Sequence, residues 1–205
     1  MLAHVEEATI SSISGVVAKD DVVSSLLATL DACSPGASEA SAQAGEWCER
    51  IARAMRLSDT EVLNVALAGV LRDVGTVATP AEILSKPGHL TNVEWDVVRG
   101  HAAKGGQILQ RIPSLGRLAP AVRGHHERFD GLGYPDGLAG AAIPIAARII
   151  AVADAFLAMT SERPYRRRMS ADQAIGALKA GRGSQWDPEV VDSAVPILAM
   201  TKGSA

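Results

Sequence analysis

Apolar residues along this chain recur at three- and four-residue steps and nowhere alternate in twos over a sustained stretch, so the pattern predicts helices and no sheet. Between residues 59 and 74, Val62, Val65, Ala66, Val70 and Val74 form one apolar stripe, and Gly69 on the same face leaves room for a close neighbour. Start signals fix the frame. Ser58-Asp59-Thr60-Glu61, Thr91-Asn92-Val93-Glu94 and Ser170-Ala171-Asp172-Gln173 each read as a capping box, in which the first hydroxyl and the fourth side chain satisfy free amides of the first turn. Asp187-Pro188 reads as an N-cap followed by proline at the first helical position. These marks predict helices over roughly 20–32, 42–56, 59–74, 92–111, 115–128, 144–160, 171–180 and 188–199.

Two stretches interrupt the pattern. Ser34-Pro35-Gly36-Ala37-Ser38 reads as a linker, which divides the chain into an N-terminal helical segment or linker over 1–40 and a main domain over 41–205. Residues 129–140 hold four glycines and a proline, which disfavours a helix and marks a shaped loop. Aromatic residues are only 3% of the chain, yet both tyrosines and both phenylalanines fall between 129 and 165, so this region is expected to form a binding surface.

Composition narrows the class. With 205 residues, 47% of them apolar, the chain can bury a substantial core. A net charge of −3 gives no footprint for duplex nucleic acid, although Arg163, Arg166, Arg167 and Arg168 form a local basic cluster that suits a small phosphate ligand or simply solvates a turn. Cys33 and Cys48 are too few for a disulfide framework and lack a Cys-x-x-Cys spacing, so both are expected as reduced thiols. The start lacks a signal-peptide profile and no uncharged apolar run reaches the ~18 residues of a membrane span, so a cytoplasmic protein is expected.

The candidate chemistry lies around the loop. His101, His125 and His126 fall on predicted helices, with Asp73 and Asp154 on neighbouring helical segments. Imidazoles and carboxylates held on converging helices suit a divalent iron, manganese or zinc ion. A plainer arrangement is a metal-free ion pair of Asp73 and Asp154 with Arg72.

A longer set of motifs resembles the HD-GYP family. It comprises Leu71-Arg72-Asp73-Val74-Gly75, Leu84-Ser85-Lys86-Pro87-Gly88, His101, His125-His126-Glu127-Arg128-Phe129-Asp130-Gly131-Leu132-Gly133-Tyr134-Pro135, Ala151-Val152-Ala153-Asp154-Ala155-Phe156 and Thr160-Ser161-Glu162-Arg163-Pro164-Tyr165-Arg166, in the family's order across 59–199. The resemblance implies an all-α, HD-superfamily helical bundle and hydrolysis of cyclic di-GMP at a centre of two or three metals. It also implies that Asp73, His101, His125, His126 and Asp154 are metal ligands, with Asp73 bridging two ions in an active member. Tyr134, Arg163 and Arg167 would contact substrate, and Gly133-Tyr134-Pro135 would border a docking surface for GGDEF-domain proteins. A homodimer is left open.

Three positions depart from the family. Arg72 stands where the first residue of the His-Asp pair belongs, Thr76 replaces a lysine, and Trp47 takes the place of an upstream histidine. One implied metal then keeps only Asp73 and Asp154, whereas the other keeps Asp73, His101, His125 and His126. At most one ion is expected, with Glu39, Glu46 and Glu49 as conceivable substitute ligands. A guanidinium at Arg72 would supply positive charge where the missing cation belongs. The expected function is a cyclic di-GMP-binding or partner-docking module with weak or no hydrolysis. The alternatives are an active phosphodiesterase using a single metal and an adaptor that binds no nucleotide.

Overall fold

Apolar stripes with a period near 3.6 must be buried against one another, and the outcome is a bundle. The computed structural model describes residues 21–162 and 168–200, and its regular elements there are all helical. In chain order they are α1 (Asp21–Cys33), α2 (Ala37–Ala54), α3 (Asp59–Val70), a 3-10 turn (Val74–Ala78), α4 (Ala81–Leu84), α5 (Asn92–Gln110), a 3-10 turn (Gly116–Leu118), α6 (Ala119–Gly124), a 3-10 turn (Gly140–Ala142), α7 (Ile145–Thr160), α8 (Ala171–Ala180) and α9 (Pro188–Ala199). No described helix is long and apolar enough to cross a membrane.

All three capping boxes form, with both reciprocal bonds in place at Ser58, Thr91 and Ser170. Asp187 caps α9 by accepting from Glu189 N at 2.7 Å, and its other carboxylate oxygen accepts from Arg148 of α7. The expected linker is a short turn, because the Asp31 carboxylate accepts from Gly36 N, Ser38 N and Ser38 Oγ and so starts α2 at Ala37. Residue 40 lies inside α2, and Val23 of α1 belongs to the same buried cluster as Ile51, Val65, Leu109, Ile150 and Leu198.

Two helices end earlier than their apolar stripes suggest. α3 stops at Val70 rather than near 74, and the chain turns through Leu71, Arg72 and Asp73. Arg72 Nη1 donates to the Gly69 carbonyl at 3.3 Å, giving one helix-end acceptor a side-chain partner. The helix expected over 115–128 is a 3-10 turn followed by the six-residue α6, with Pro120 in its first turn and His125 as its C-cap. Asp73, His125 and His126 therefore sit in turns at helix ends, while His101 and Asp154 lie within α5 and α7.

Small residues set how closely these ends approach. A Cβ on Gly75 would collide with the His101 carbonyl and the Gly105 amide, so only glycine lets the Val74–Ala78 turn lie against the backbone of α5. One turn later, a Cβ on Gly106 would stand 2.9 Å from Arg123 Cβ and 3.2 Å from the Ala119 carbonyl, so the missing side chain admits α6. Asp73 and the His125-His126 turn are thereby both drawn to His101.

Candidate metal centre

His101 projects from the middle of α5, and its Nδ1 lies 2.7 Å from the Val98 carbonyl. His125 repeats the arrangement, with Nδ1 2.6 Å from the Val122 carbonyl. A carbonyl can only accept, so in each ring, when neutral, Nδ1 carries the proton and Nε2 presents its lone pair. Those two Nε2 atoms face each other at 3.3 Å. Two neutral acceptors at that distance leave each other unsatisfied, and only a proton or a cation between them resolves the contact.

His126 completes a trio. One ligand-capable nitrogen from each of His101, His125 and His126 lies within 4.8 Å of the others, and the first two residues are buried. Burial, then the neighbouring His101, pushes His125 below the usual imidazole range. Burial, then His125 and His101, does the same to His126. Neutral imidazoles with converging lone pairs are the protonation state that metal binding requires. Asp73 Oδ1 stands at the edge of this group, 3.6 Å from His101 Nε2. The donor set fits one divalent ion of the iron, manganese or zinc class.

The other side of Asp73 is occupied by protein. Arg72 is 6% exposed, its Nε donates to Asp154 Oδ1 at 2.7 Å, and its Nη2 lies 3.1 Å from Asp73 Oδ2. Burial alone would lower the guanidinium's affinity for its proton, but Asp73 and Asp154 outweigh it and keep the group charged. Cys48 of α2 packs against Gly69 at the back of this pair, and burial pushes its thiol up to about 12, so it stays protonated. It packs there as a small buried hydrophobe, a reduced thiol as its lack of a Cys-x-x-Cys partner predicts.

The other residues that depart from the resemblance, and their neighbours, make contacts of their own. Trp47 packs edge-on against Phe156 with ring centroids 5.5 Å apart, under the Arg50 guanidinium at 4.8 Å. Thr76 donates its hydroxyl to the Asp73 carbonyl at 2.8 Å, a local bond that tightens the 3-10 turn. Lys86 pairs with both oxygens of Glu94, the carboxylate that caps α5. Glu49 is likewise engaged, at 2.8 Å from Arg53. Trp95 is 48% exposed on the outer face of α5. Arg163 and Arg167 lie outside the described residues, while Arg168 and His89 are exposed.

The glycine-rich loop is held firmly against the trio. Tyr134 stacks on His126 with centroids 4.9 Å apart and an interplanar angle of 28°, and its amide donates to the His126 carbonyl at 3.2 Å. Arg99 of α5 reaches over the Tyr134 ring at 5.7 Å. Burial raises the Tyr134 phenol to about 12, so it stays neutral and able to donate. A Cβ on Gly133 would run into Glu127 and Arg128 backbone. The buried Glu127 carboxylate accepts from Asp136 N at 2.7 Å and Leu138 N at 3.1 Å, and Arg123 clamps Asp136 with two bonds. Sequence reasoning gave Glu127 and Arg99 no role. Glu127 was visible as an acidic residue directly after the histidine pair, and Arg99 lies two positions before His101 on one helix.

An HD domain family matches residues 24–190. The cyclic di-GMP phosphodiesterase response regulator RpfG of Xanthomonas campestris pv. campestris (strain 8004) is 45% identical over 147 residues, covering 70% of this chain and 38% of that protein. The 3'3'-cGAMP-specific phosphodiesterase 3 of Vibrio cholerae is 38% identical over 160 residues, covering 78% of this chain and 35% of that protein. The chain thus spans about two fifths or less of the length of these relatives. Among solved structures, Bd1817, an HDG"Y"P protein from Bdellovibrio bacteriovorus, superposes with a TM-score of 0.64 at 16% identity, over 92% of this chain and 57% of that one, a likeness of fold. The helical architecture, the histidine pair with its Gly-Tyr-Pro loop and these matches agree, and the chain belongs to the HD domain family, in its HD-GYP branch.

Proposed function

We propose that this chain is a cyclic-dinucleotide-binding module in which an internal cation has replaced half of a metal centre. Arg72 serves as the built-in charge between Asp73 and Asp154, while His101, His125 and His126, with Asp73, hold at most one divalent ion. The observation that carries this reading is the pair of Arg72 contacts, 2.7 Å to Asp154 and 3.1 Å to Asp73. Arginine keeps its proton and has no lone pair to offer a metal, so it competes for the carboxylates that a second ion would need. Such an ion, where bound, would polarise a phosphoryl oxygen and acidify a coordinated water.

The phosphodiesterase names of the relatives support a cyclic dinucleotide as ligand, with cyclic di-GMP the reading favoured here. In this proposal the neutral Tyr134 phenol, together with Arg163 and Arg167, meets the phosphates. The Gly133-Tyr134-Pro135 corner, held rigid by Glu127, offers a face to a GGDEF-domain partner. Hydrolysis is weak or absent, because Arg72 stands where a nucleophile-activating ion would sit and Thr76 spends its hydroxyl on a backbone carbonyl. One observation favours a second reading, an active phosphodiesterase with a single ion: the facing Nε2 atoms of His101 and His125 at 3.3 Å.

Metal analysis and a turnover assay separate the two. We expect no more than one ion per chain and little conversion of cyclic di-GMP, with Arg72→His plus Thr76→Lys raising the ion count and restoring turnover. Two ions in the unaltered protein would defeat the proposal. Steady hydrolysis with one ion would establish the second reading.

A further inference from the structure

A groove of about 420 Å³ runs between the C-terminal half of α5 and the start of α6. Its floor follows from small residues. Gly106 lets Arg123 and the Ala119 carbonyl approach α5 closely, and Ala119 is itself short and buried, so the two helices meet low and leave a trough above them. Its walls are methylene stems, of Gln107 and Gln110 on α5 and of Arg111 and Arg123 at the two helix ends, apolar along their length and polar at their tips. The volume falls within the roughly 300–1,000 Å³ of ligand clefts. Exposed side chains border it on both helices, so it suits the side chains of a docked segment better than an enclosed small molecule.

Charge indicates what covers this groove. Residues 97–126 hold Arg99, Lys104, Arg111, Arg117 and Arg123 and no aspartate or glutamate, although the whole chain has 23 acidic residues against 20 basic ones. Arg99 lies 3.7 Å from Asp96, and Arg123 is paired with Asp136. The other three have no carboxylate partner among the described residues. Lys104 donates to the Ala78 carbonyl, and Arg117 to the Asn64 side-chain oxygen and the Ser114 carbonyl, bonds that leave their charge uncompensated. The Arg111 guanidinium, at the groove itself, has no hydrogen-bond or ion-pair partner among the described residues, and neither do the Gln107 and Gln110 amides. Lys104 stands two helical turns before Arg111 on the same face of α5.

We infer that this groove docks an acidic amphipathic segment of a partner protein, with apolar side chains in the trough and carboxylates on Arg111, Lys104 and the two glutamine amides. A carboxylate takes a guanidinium in a two-bond fork. Unlike charge steers such a segment to this face, while a net charge of −3 repels it from the molecule as a whole. A nucleic-acid strand fits less well, since no aromatic ring lines the groove for a base to stack on. The groove shares no residue with the Gly133-Tyr134-Pro135 corner and needs neither metal nor nucleotide, so the inference stands apart from the proposed function.

Fluorescence anisotropy of a labelled helical peptide, with leucines along one face and glutamates beside them, tests it on the full chain. The peptide should bind in low salt and weaken as salt rises. A scrambled peptide of the same composition should bind about tenfold more weakly, because it cannot put leucines in the trough and carboxylates at the rim together. Arg111→Glu should cost about tenfold or more and Gln107→Glu several-fold, with melting temperature unchanged in both, since these exposed side chains hold no bond of the fold. Lys179→Glu, the same charge change on the exposed surface of α8, should leave affinity unchanged. Equal binding of the two peptides, equal losses in Arg111→Glu and Lys179→Glu, or no binding of the leucine and glutamate peptide overturns the inference. So does tighter binding of an oligouridylate through Arg111, which would give the face to RNA. A self-associated species that dissociates in Arg111→Glu would give it to a second copy of this chain and overturn the inference equally.

Discussion

On one side of Asp73 a guanidinium only 6% exposed lies between two carboxylates, and on the other three imidazoles turn their lone pairs toward a common point. Both halves are built from a helix interior and a helix end, Asp154 within α7 with Arg72 after α3 and His101 within α5 with His125 and His126 after α6, so backbone does not distinguish them. Charge does. The arginine half brings together one cation and two anions and is complete as it folds. The histidine half gathers acceptors, with Nδ1 protons already given to the Val98 and Val122 carbonyls, and stays under-satisfied until a proton or metal arrives. In the proposed reading a single residue, Arg72, makes one half self-sufficient while the other stays ligand-dependent.

The comparison breaks most directly at Arg72. Removing one partner of a buried ion pair costs about 3–5 kcal/mol, and because the Asp73 and Asp154 side chains are 34% and 28% exposed, Arg72→Ala should sit at the low end, near ~3 kcal/mol by urea denaturation. The same variant frees both carboxylates, so millimolar manganese should recover much of that loss. Manganese should leave the unaltered arginine half unaffected. A variant as stable as the parent, or one indifferent to manganese, would mean that Arg72 does not hold the place of a cation.

In the histidine half, His125→Ala removes one of three converging nitrogens and should weaken metal affinity by on the order of 100-fold, about 2.7 kcal/mol, while changing the stability of the metal-free protein far less. Equilibrium dialysis against zinc measures the first quantity and thermal unfolding in chelator the second. Equal losses in both would make His125 a packing residue rather than a ligand.

Much of this was visible in the residues alone. The capping boxes at Ser58, Thr91 and Ser170 were legible because a cap is a local contract between residues three apart, and all three formed. The pairing of Arg72 with Asp73 and Asp154 was also legible, since opposite charges at motif positions have few other partners. The helix ends were not. Nothing between Leu71 and Val74 breaks a helix by propensity, and the turn there depends on Gly75 meeting the backbone of α5, a contact made far along the chain. Pro120 did carry a signal for the short α6, because proline belongs in a helix's first turn, and weighing it would have moved the expected start from 115 to about 119. The cavity of about 200 Å³ between α7 and the Ser184–Trp186 turn was illegible for another reason: no spacing rule joins Ala155 to Gln185, thirty residues later.

Acidity sharpens the contrast between the halves. His125 and His126 are held below the ordinary value of ~6.5 in the folded protein, so between pH 7 and pH 5 the unfolded chain takes up protons that the folded chain refuses. The unfolded state binding more protons means that stability rises with pH and falls on acidification. In the metal-free protein the loss from pH 7 to pH 5 should be roughly 2 kcal/mol for each of the two histidines, and His125→Ala should remove its share. Bound metal occupies the same lone pairs, so loading zinc should shift the acid sensitivity to lower pH. A flat stability profile across this range would mean that the trio is already protonated or solvated.

The smallest effect concerns the lid on the trio. Tyr134 contributes a stack on His126 and a backbone bond that any residue there would keep, so Tyr134→Phe should be nearly silent in stability and Tyr134→Ala should cost about 1 kcal/mol. The useful readout is the difference between variants in metal affinity. If the ring orients the His126 imidazole, phenylalanine preserves zinc binding and alanine weakens it by several-fold, because a loosened ligand must be re-ordered each time the ion binds. If both variants bind zinc as the parent does, Tyr134 belongs to the nucleotide or partner surface alone. The histidine half would then owe its geometry entirely to the Val98 and Val122 carbonyls beneath it.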